Sequence, residues 1–316
     1  MKTLTICIPT FKRNLQLQAL LSALQEQAAP PADEVEVCIL VIDNNPDGRA
    51  GQVVEAVPAA SFKVEYLHET RPGVAFVRNA ALQACADRDF LVFIDDDELP
   101  APNWLGALWA RRAATGADAV FGSVEARYAD GAPEWILRGD FHSKLELENG
   151  LRTTPGATDN CLIDLNTVRG MNLSFDVGLS TIGGEDTLFF DAMLARGATF
   201  ANAASAVTYE AVPIERATLN WLATRWRRTG YTDALMISRR RPSGARRVRA
   251  LLKGLVRLAA GGALVCAAYV VSGFQMHERV ARFLYTFQRG RGMIAFSLDR
   301  PIEEYGRTKS SKGTGS

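Results

Sequence analysis

The chain has 316 residues, 47% of them hydrophobic and 22% charged, which is enough to bury a large core and excludes disordered, collagen-like and disulfide-scaffold classes. Its cysteines (Cys7, Cys38, Cys85, Cys161, Cys266) form no CxxC, and its histidines (His68, His142, His277) have no zinc-ligand spacing, so a reduced, cytoplasm-facing protein is expected. The net charge of +1 conceals a division: residues 1–222 carry 17 Lys/Arg against 30 Asp/Glu, and residues 223–316 carry 19 against 5. An acidic body and a basic C-terminal third are expected to meet different partners, with a boundary near Leu222.

Met1 and Lys2 lead directly into a strand-like run at residues 4–8 with no cleavage pattern behind it, so no signal peptide is expected. Behind Asn14, a candidate N-cap, Leu17, Leu20, Leu21 and Leu24 repeat at helical spacing. Strands are predicted at 35–42, 62–67, 90–94 and 119–124, and helices at 49–57, 74–85 and 103–115. This alternation implies an α/β fold with a mainly parallel sheet flanked by helices. Polar residues gather at three strand ends: Pro9-Thr10-Phe11, Asp43-Asn44-Asn45 and Asp95-Asp96-Asp97-Glu98. Ligands of open α/β sheets bind outside the carboxyl ends of strands, so one site should use all three.

No GxGxxG follows the first strand and no GxxxxGK[ST] occurs, which disfavours dinucleotide dehydrogenases and P-loop NTPases. Four consecutive acids would repel a bare diphosphate, so a nucleotide bound here needs a divalent cation, Mg²⁺ or Mn²⁺, between them. If the strand stays extended, Asp95 and Asp97 face one site and Asp96 faces away. A second acidic pair, Glu185-Asp186, follows Gly183-Gly184 and precedes an apolar helical run at 188–194. Acids at a helix start act as caps and dipole partners, but glycines beside them let a backbone approach a ligand, which makes a general base the competing reading.

Ile8-Pro9-Thr10-Phe11-Lys12-Arg13, Val41-Ile42-Asp43-Asn44-Asn45, Gly73-Val74-Ala75-Phe76-Val77-Arg78-Asn79, Phe93-Ile94-Asp95-Asp96-Asp97-Glu98 and Gly184-Glu185-Asp186 occur in this order. In this the chain resembles family 2 glycosyltransferases of the GT-A fold over roughly residues 3–230, in particular bacterial enzymes that add single sugars to exopolysaccharide precursors such as succinoglycan. The resemblance implies an inverting, metal-dependent transfer of one sugar from a nucleoside-diphosphate sugar, with a UDP-sugar favoured, to a glycan or lipid-linked acceptor. It implies nucleotide contacts from Pro9, Thr10, Phe11, Arg13, Asp43, Arg78, Asn79, Asp95 and Asp96, and a metal held by Asp97 with Asp95. Asp186 would be the base, with Glu185 beside it orienting acceptor or base and as the alternative base. Glu98 stands where many relatives have Asp, which leaves its part in metal binding open.

On the acceptor side, residues 130–159 have weak periodicity and would form a wall containing Trp135, Arg138 and His142. Surface-loop packing is the competing reading for these three. Asn160 matches an asparagine near the acceptor site of relatives, and Gly184 belongs to the same side. Processive relatives carry Gln-x-x-Arg-Trp; here only Arg225-Trp226 remain, which favours single addition and keeps Arg225 as a candidate diphosphate contact and Trp226 as an acceptor candidate.

Residues 239–257 hold eight basic residues and no acid, and residues 258–276 are uncharged. This pairing fits an anionic membrane surface better than nucleic acid. The uncharged stretch is marginal in length and has arginines on both flanks, which favours an interfacial or re-entrant segment over a span. The expected organisation is a catalytic domain at 1–222, with a nucleotide-sugar half to about 125 and an acceptor half beyond it. A basic, membrane-associating helical region at 223–307 and a disordered tail at 308–316 complete it, with the protein on the cytoplasmic face of the cell membrane. Two rival readings stay open: a membrane-attached nucleotide-sugar-binding subunit without turnover, and a nucleotidyltransferase, which would release pyrophosphate.

Overall fold

In β1 (Lys2–Thr10), Leu4, Ile6 and Ile8 pack into one hydrophobic layer and Cys7 into the other, so the strand is covered on both faces as a central parallel strand must be. The structure, a computed structural model, describes residues 1–28, 30–31, 34–58, 60–146, 150–180, 182–239, 245–300 and 302. The first layer contains α1 (Asn14–Gln25), α2 (Ala50–Glu55) and α4 (Trp104–Thr115). The opposite layer contains α3 (Val74–Ala84), α6 (Leu165–Gly170) and α7 (Glu185–Ala195).

Asn14 is not the cap of α1: it is the first helical residue, and its amide donates to the Arg49 carbonyl (3.3 Å). The helix forms without a side-chain cap because Leu17, Leu20, Leu21 and Leu24 are fully buried. Each buried leucine contributes about 2 kcal/mol against about 1 kcal/mol for a cap.

The sheet order is β3–β2–β1–β4–β8–β6–β9–β5, with β7 paired to β9. β2 (Val35–Asp43), β3 (Lys63–His68), β1 and β4 (Phe90–Ile94) are mutually parallel. Beyond them the sheet is mixed. β8 (Asn160–Asp164) runs antiparallel between β4 and β6 (Ala119–Tyr128), and β5 (Glu98–Pro100) and β7 (Leu151–Arg152) run antiparallel to β9 (Phe200–Val212). β8 therefore brings its amino end to the edge where β1, β2 and β4 bring their carboxyl ends, since Asn160 pairs with Ile94.

The described residues between 129 and 159 contain α5 (Glu134–Gly139), β7 and otherwise irregular chain. The C-terminal region consists of α8 (Leu219–Arg239), α9 (Ala245–Val271) and α10 (Glu278–Ser297), with α10 packed against both of the others. The charge boundary at Leu222 falls inside α8 and is not a physical gap, because Leu222 and Trp226 share a buried cluster with Ile136, Val212 and Ala281. Asp233 ties the three helices together by accepting from Arg257 (3.0 Å) and Arg289 Nε (2.9 Å). The uncharged stretch at 258–276 is not one element: its helical part ends at Val271, and Gly273 turns the chain with φ +65°. The tail expected to be disordered lies outside the described residues, as do Arg240 and Arg241 of the basic run. All five cysteines are free thiols.

Candidate active site

The site is built on the turn that follows β4. The chain does not stay extended through the acids: the Glu98 amide donates to the Asp95 carbonyl (3.1 Å), closing a tight turn that starts β5. Asp96 points toward the β1 loop. The Thr10 hydroxyl (2.8 Å), the Phe11 amide (3.3 Å) and Arg13 (2.6 Å) all donate to its carboxylate, which is 5% exposed. Asp96 and Thr10 thus lock two loops together, so neither is a free nucleotide contact in this arrangement. Phe11 is exposed with the Lys12 ammonium over its ring, and Pro9 is partly buried.

Asp95 and Asp97 remain partly open. Burial, and next the negative charge of Asp97, push the Asp95 carboxyl up to about 7. Asp97 Oδ2 lies 2.9 Å from Arg13 and 3.4 Å from Arg216. Glu98 is 2% exposed, burial and next Asp95 raise its pKa well above the usual range, and its Oε2 is buried without a partner. The chemistry of this donor set fits a hard divalent cation, since Asp95 and Asp97 are two crowded carboxylates that such an ion would relieve. Among the described residues no group of three His, Cys, Asp or Glu is placed to hold a metal.

Arg78, 7% exposed on α3, forms an ion pair with Glu185, 3% exposed at the start of α7. The same guanidinium draws down the Asp95 carboxyl, and the buried Cys161 thiol feels Asp159, Arg78 and Asp186 together. The two acidic clusters therefore lie at one edge of the sheet with Arg78 between them. Asp186 is partly exposed, and its Oδ1 accepts from the Thr187 amide (2.6 Å). Glu185 is engaged by Arg78 and buried, which leaves Asp186 the better placed of the pair to meet a ligand. Gly184, at φ +86°, serves packing: a Cβ there would stand 2.5 Å from the Thr232 hydroxyl of α8.

Three further candidates are buried and bonded within the scaffold. Asp43 is 1% exposed, and its carboxylate accepts from the Asn45 (2.8 Å) and Ala50 (3.0 Å) amides and the Tyr66 hydroxyl (3.3 Å), so it shapes its own loop. Asn79 exchanges two hydrogen bonds with the Phe175 backbone (2.8 and 2.9 Å) and clamps that segment to α3. Asn160, 1% exposed, accepts from the Trp104 indole (2.8 Å) and donates to the Ser123 and Ala206 carbonyls (2.9 Å each), leaving no group for an acceptor.

Trp226 is likewise core, 4% exposed between Phe141 and Tyr285. Trp135 is half-buried against Phe141, and Arg138 is an exposed partner of Glu134. His142 is 1% exposed, stacked on Trp221 and bonded to the Arg216 carbonyl (3.2 Å); burial and next the Arg225 charge push its pKa down to about 4. Arg225 lies over the Trp221 ring (5.2 Å), and its charge acts on Asp159, Lys144 and Glu210.

Sequence reasoning missed Lys144, Asp159, Glu210 and Arg216. Lys144 and Asp159 form an ion pair, Arg216 bridges Asp97 to Glu210 (3.2 Å), and Glu210 pairs directly with Glu98 across β9 and β5. The available signal was Asp159-Asn160 ahead of the apolar run Cys161-Leu162-Ile163. It was overlooked because only an antiparallel strand delivers such residues to this edge.

Comparison with known proteins agrees with this architecture. The family model described as glycosyl transferase family 2 matches residues 5–165. The succinoglycan biosynthesis protein ExoM of Rhizobium meliloti (strain 1021) is 32% identical over 303 residues, covering 95% of each chain. Among solved structures, S. aureus TarS 1–349 superposes with a TM-score of 0.54 at 14% identity, covering 97% of this chain and 93% of that one. Its complexes with UDP and with UDP-GlcNAc each give 0.51, at 16% and 15% identity, covering 95% of this chain and 92% and 93% of those. A family model over half of the chain and a relative alike along nearly its whole length place this protein in glycosyl transferase family 2, as a glycosyltransferase.

Proposed function

We propose that the enzyme moves one sugar from a UDP-sugar to a hydroxyl of a lipid-linked exopolysaccharide precursor, with inversion at the anomeric carbon, at the cytoplasmic face of the membrane. The observation that carries this reading is the pairing of two acidic sites at one sheet edge, Asp95 with Asp97 and Asp186 with Glu185, with Arg78 between them. The ExoM relative supports the exopolysaccharide assignment, and the UDP and UDP-GlcNAc complexes of TarS support the donor class.

In this reading Asp97, with Asp95, would hold Mg²⁺ or Mn²⁺, and a divalent cation there would supply positive charge to a departing diphosphate. Arg13 and Arg216, now on Asp97, supply further positive charge at the leaving group. The acceptor oxygen forms a bond to the anomeric carbon as the bond to the diphosphate oxygen breaks, and the acceptor proton passes to Asp186, whose Oδ1 is fixed by the Thr187 amide. Arg78 pairs with Glu185 and holds it turned inward, so Glu185 positions the start of α7 rather than taking the proton.

The exposed apolar side of α9, with Leu252 at 58% and Val256 at 67%, supports membrane attachment. By length and composition residues 246–271 of this helix suffice to cross a membrane, but Arg257 within them pairs with Asp233 and arginines flank both ends, which favours an interfacial position.

The test is incubation with UDP-sugars, Mg²⁺ or Mn²⁺ and a lipid-linked acceptor. UDP should appear with transferred sugar, and Asp97→Ala and Asp186→Asn should each lower transfer by about a thousandfold. Full activity in both variants overturns the assigned roles, and release of pyrophosphate identifies a nucleotidyltransferase instead.

A further inference from the structure

A cavity of about 700 Å³ opens between α8, α9 and α10, away from the acidic clusters. Its basic lining is Arg227, Arg291 and Arg300, and its apolar lining includes Leu258, Ile294 and Leu298. The charges are not balanced. Arg257 and Arg289 of the same bundle share Asp233, whereas Arg227, Arg291 and Arg300 have no carboxylate partner among the described residues. Among the described residues Arg291 reaches the neutral Gln288 amide (3.3 Å) and no carboxylate, and Arg227 Nε is buried without an acceptor. Arg227 Nε is buried, so leaving it without an acceptor is costly, while Arg291 and Arg300 are exposed at the rim and add their positive charge to the same opening.

We propose that this cavity is a binding site for a lipid-borne phosphate: the anionic head lies among Arg227, Arg291 and Arg300, and the first methylenes of the chain lie on Leu258, Ile294 and Leu298. Guanidinium groups match phosphate oxygens bidentately, so one ligand satisfies both the unpaired donors and the apolar wall. A free inorganic phosphate satisfies only the first. The cavity volume falls within the range of small-molecule sites.

Placement gives the site its meaning. Arg227 lines the cavity from α8, while Arg225, two residues earlier on the same helix, acts on Asp159 and Glu210 at the catalytic edge. The two faces of α8 are separated by about 10 Å. A carrier phosphate held on one side would present its glycan to the transfer site on the other. This assignment rests on the lipid-linked acceptor reading above, and deepens it by naming where the carrier is held. Two sources share the required chemistry, a bilayer phospholipid and the isoprenoid phosphate of a carrier.

The experiment is flotation of the full chain with phosphatidylcholine vesicles, either alone, with about 20 mol% phosphatidylglycerol, or with about 2 mol% long-chain polyisoprenyl phosphate. Arg227→Gln/Arg291→Gln removes the cavity charges, and Arg247→Gln/Arg249→Gln removes two charges of α9 that do not line it. Leu298→Trp fills the cavity without changing charge, on a residue that is 54% exposed and tolerant of size.

Binding to phosphate-bearing vesicles should fall about tenfold in the cavity pair and in Leu298→Trp, and less than about threefold in the control pair. Equal loss in both pairs with Leu298→Trp unchanged means diffuse surface attraction and overturns the site. A cavity-dependent component at 2 mol% polyisoprenyl phosphate identifies the carrier; one present only with phosphatidylglycerol identifies the bilayer lipid. UDP release from a UDP-sugar in the presence of a lipid-free glycan is the separate readout. Its absence in the wild type defeats the transferase chemistry without touching the flotation result, and its retention in the cavity variants shows that they are folded.

Discussion

Asn160 illustrates how a side chain that looks like a ligand contact can be a structural clamp. Its oxygen receives the Trp104 indole of α4 and its nitrogen serves carbonyls of β6 and β9, so one amide joins a helix to two strands. Gly122 makes room for it, since a Cβ there would lie 2.5 Å from the Asn160 nitrogen. Asn160→Leu strips the amide partner from a buried indole N–H and from two carbonyls, of which that of Ser123 keeps only the longer bond from the Thr208 hydroxyl (3.5 Å), and we expect about 3 kcal/mol loss of stability, measurable by urea unfolding. Affinity for UDP, measured by calorimetry below the melting range, should be unchanged. An acceptor contact would give the opposite pattern, with unchanged stability and a raised acceptor KM.

At the scale of elements, the segment between β6 and β8 is held by His142 rather than by regular structure. The ring is stacked on Trp221 of α8, and its Nδ1 lies 3.2 Å from the Tyr128 hydroxyl at the end of β6. Burial and Arg225 hold its pKa at about 4, below the ordinary value near 6.5. The unfolded chain therefore takes up a proton that the folded one refuses, and stability contributed by the neutral ring is complete above about pH 6.5 and is lost as pH falls toward 4. Between pH 7 and pH 4, wild type should lose about 3 kcal/mol more than His142→Gln in urea unfolding. Parallel pH dependence of the two proteins would place the ring in a solvated setting.

The alternating strands and helices up to residue 128 were legible because apolar runs of period 2 and 3.6 reflect burial in two layers around one sheet. The acids at 95–97 were legible because a fully apolar strand leads straight into them. What was hidden depends on partners distant in sequence. The antiparallel insertion of β8 brings Asp159 to the site, the pairing of β5 with β9 brings Glu210, and the chain after β9 brings Arg216. None of these pairings leaves a local periodicity. Asp43, Asn79 and Asp96 carried the expected residue types but proved to be bonded within the scaffold, a distinction that motif order does not contain.

For the whole molecule, the two charge regions become a polarity of surface. The catalytic body carries the acid excess, and α9 offers arginines in its first turns followed by an apolar outer side that no described element covers. Val248 (56%), Leu252 (58%), Val256 (67%) and Val270 (59%) are exposed along it. Such a helix gains from both anionic headgroups and burial of apolar area, so removing either contribution should weaken attachment. Leu252→Asp/Val256→Asp should lower flotation on phosphatidylglycerol vesicles by about tenfold while leaving the thermal midpoint within a degree or two, because neither residue packs in the core. High salt should weaken wild-type attachment in the same assay, since exposed charges act over only about a Debye length. Alkaline carbonate should release the protein from native membranes; retention after that wash would mean that α9, whose residues 246–271 are long and apolar enough for it, crosses the bilayer.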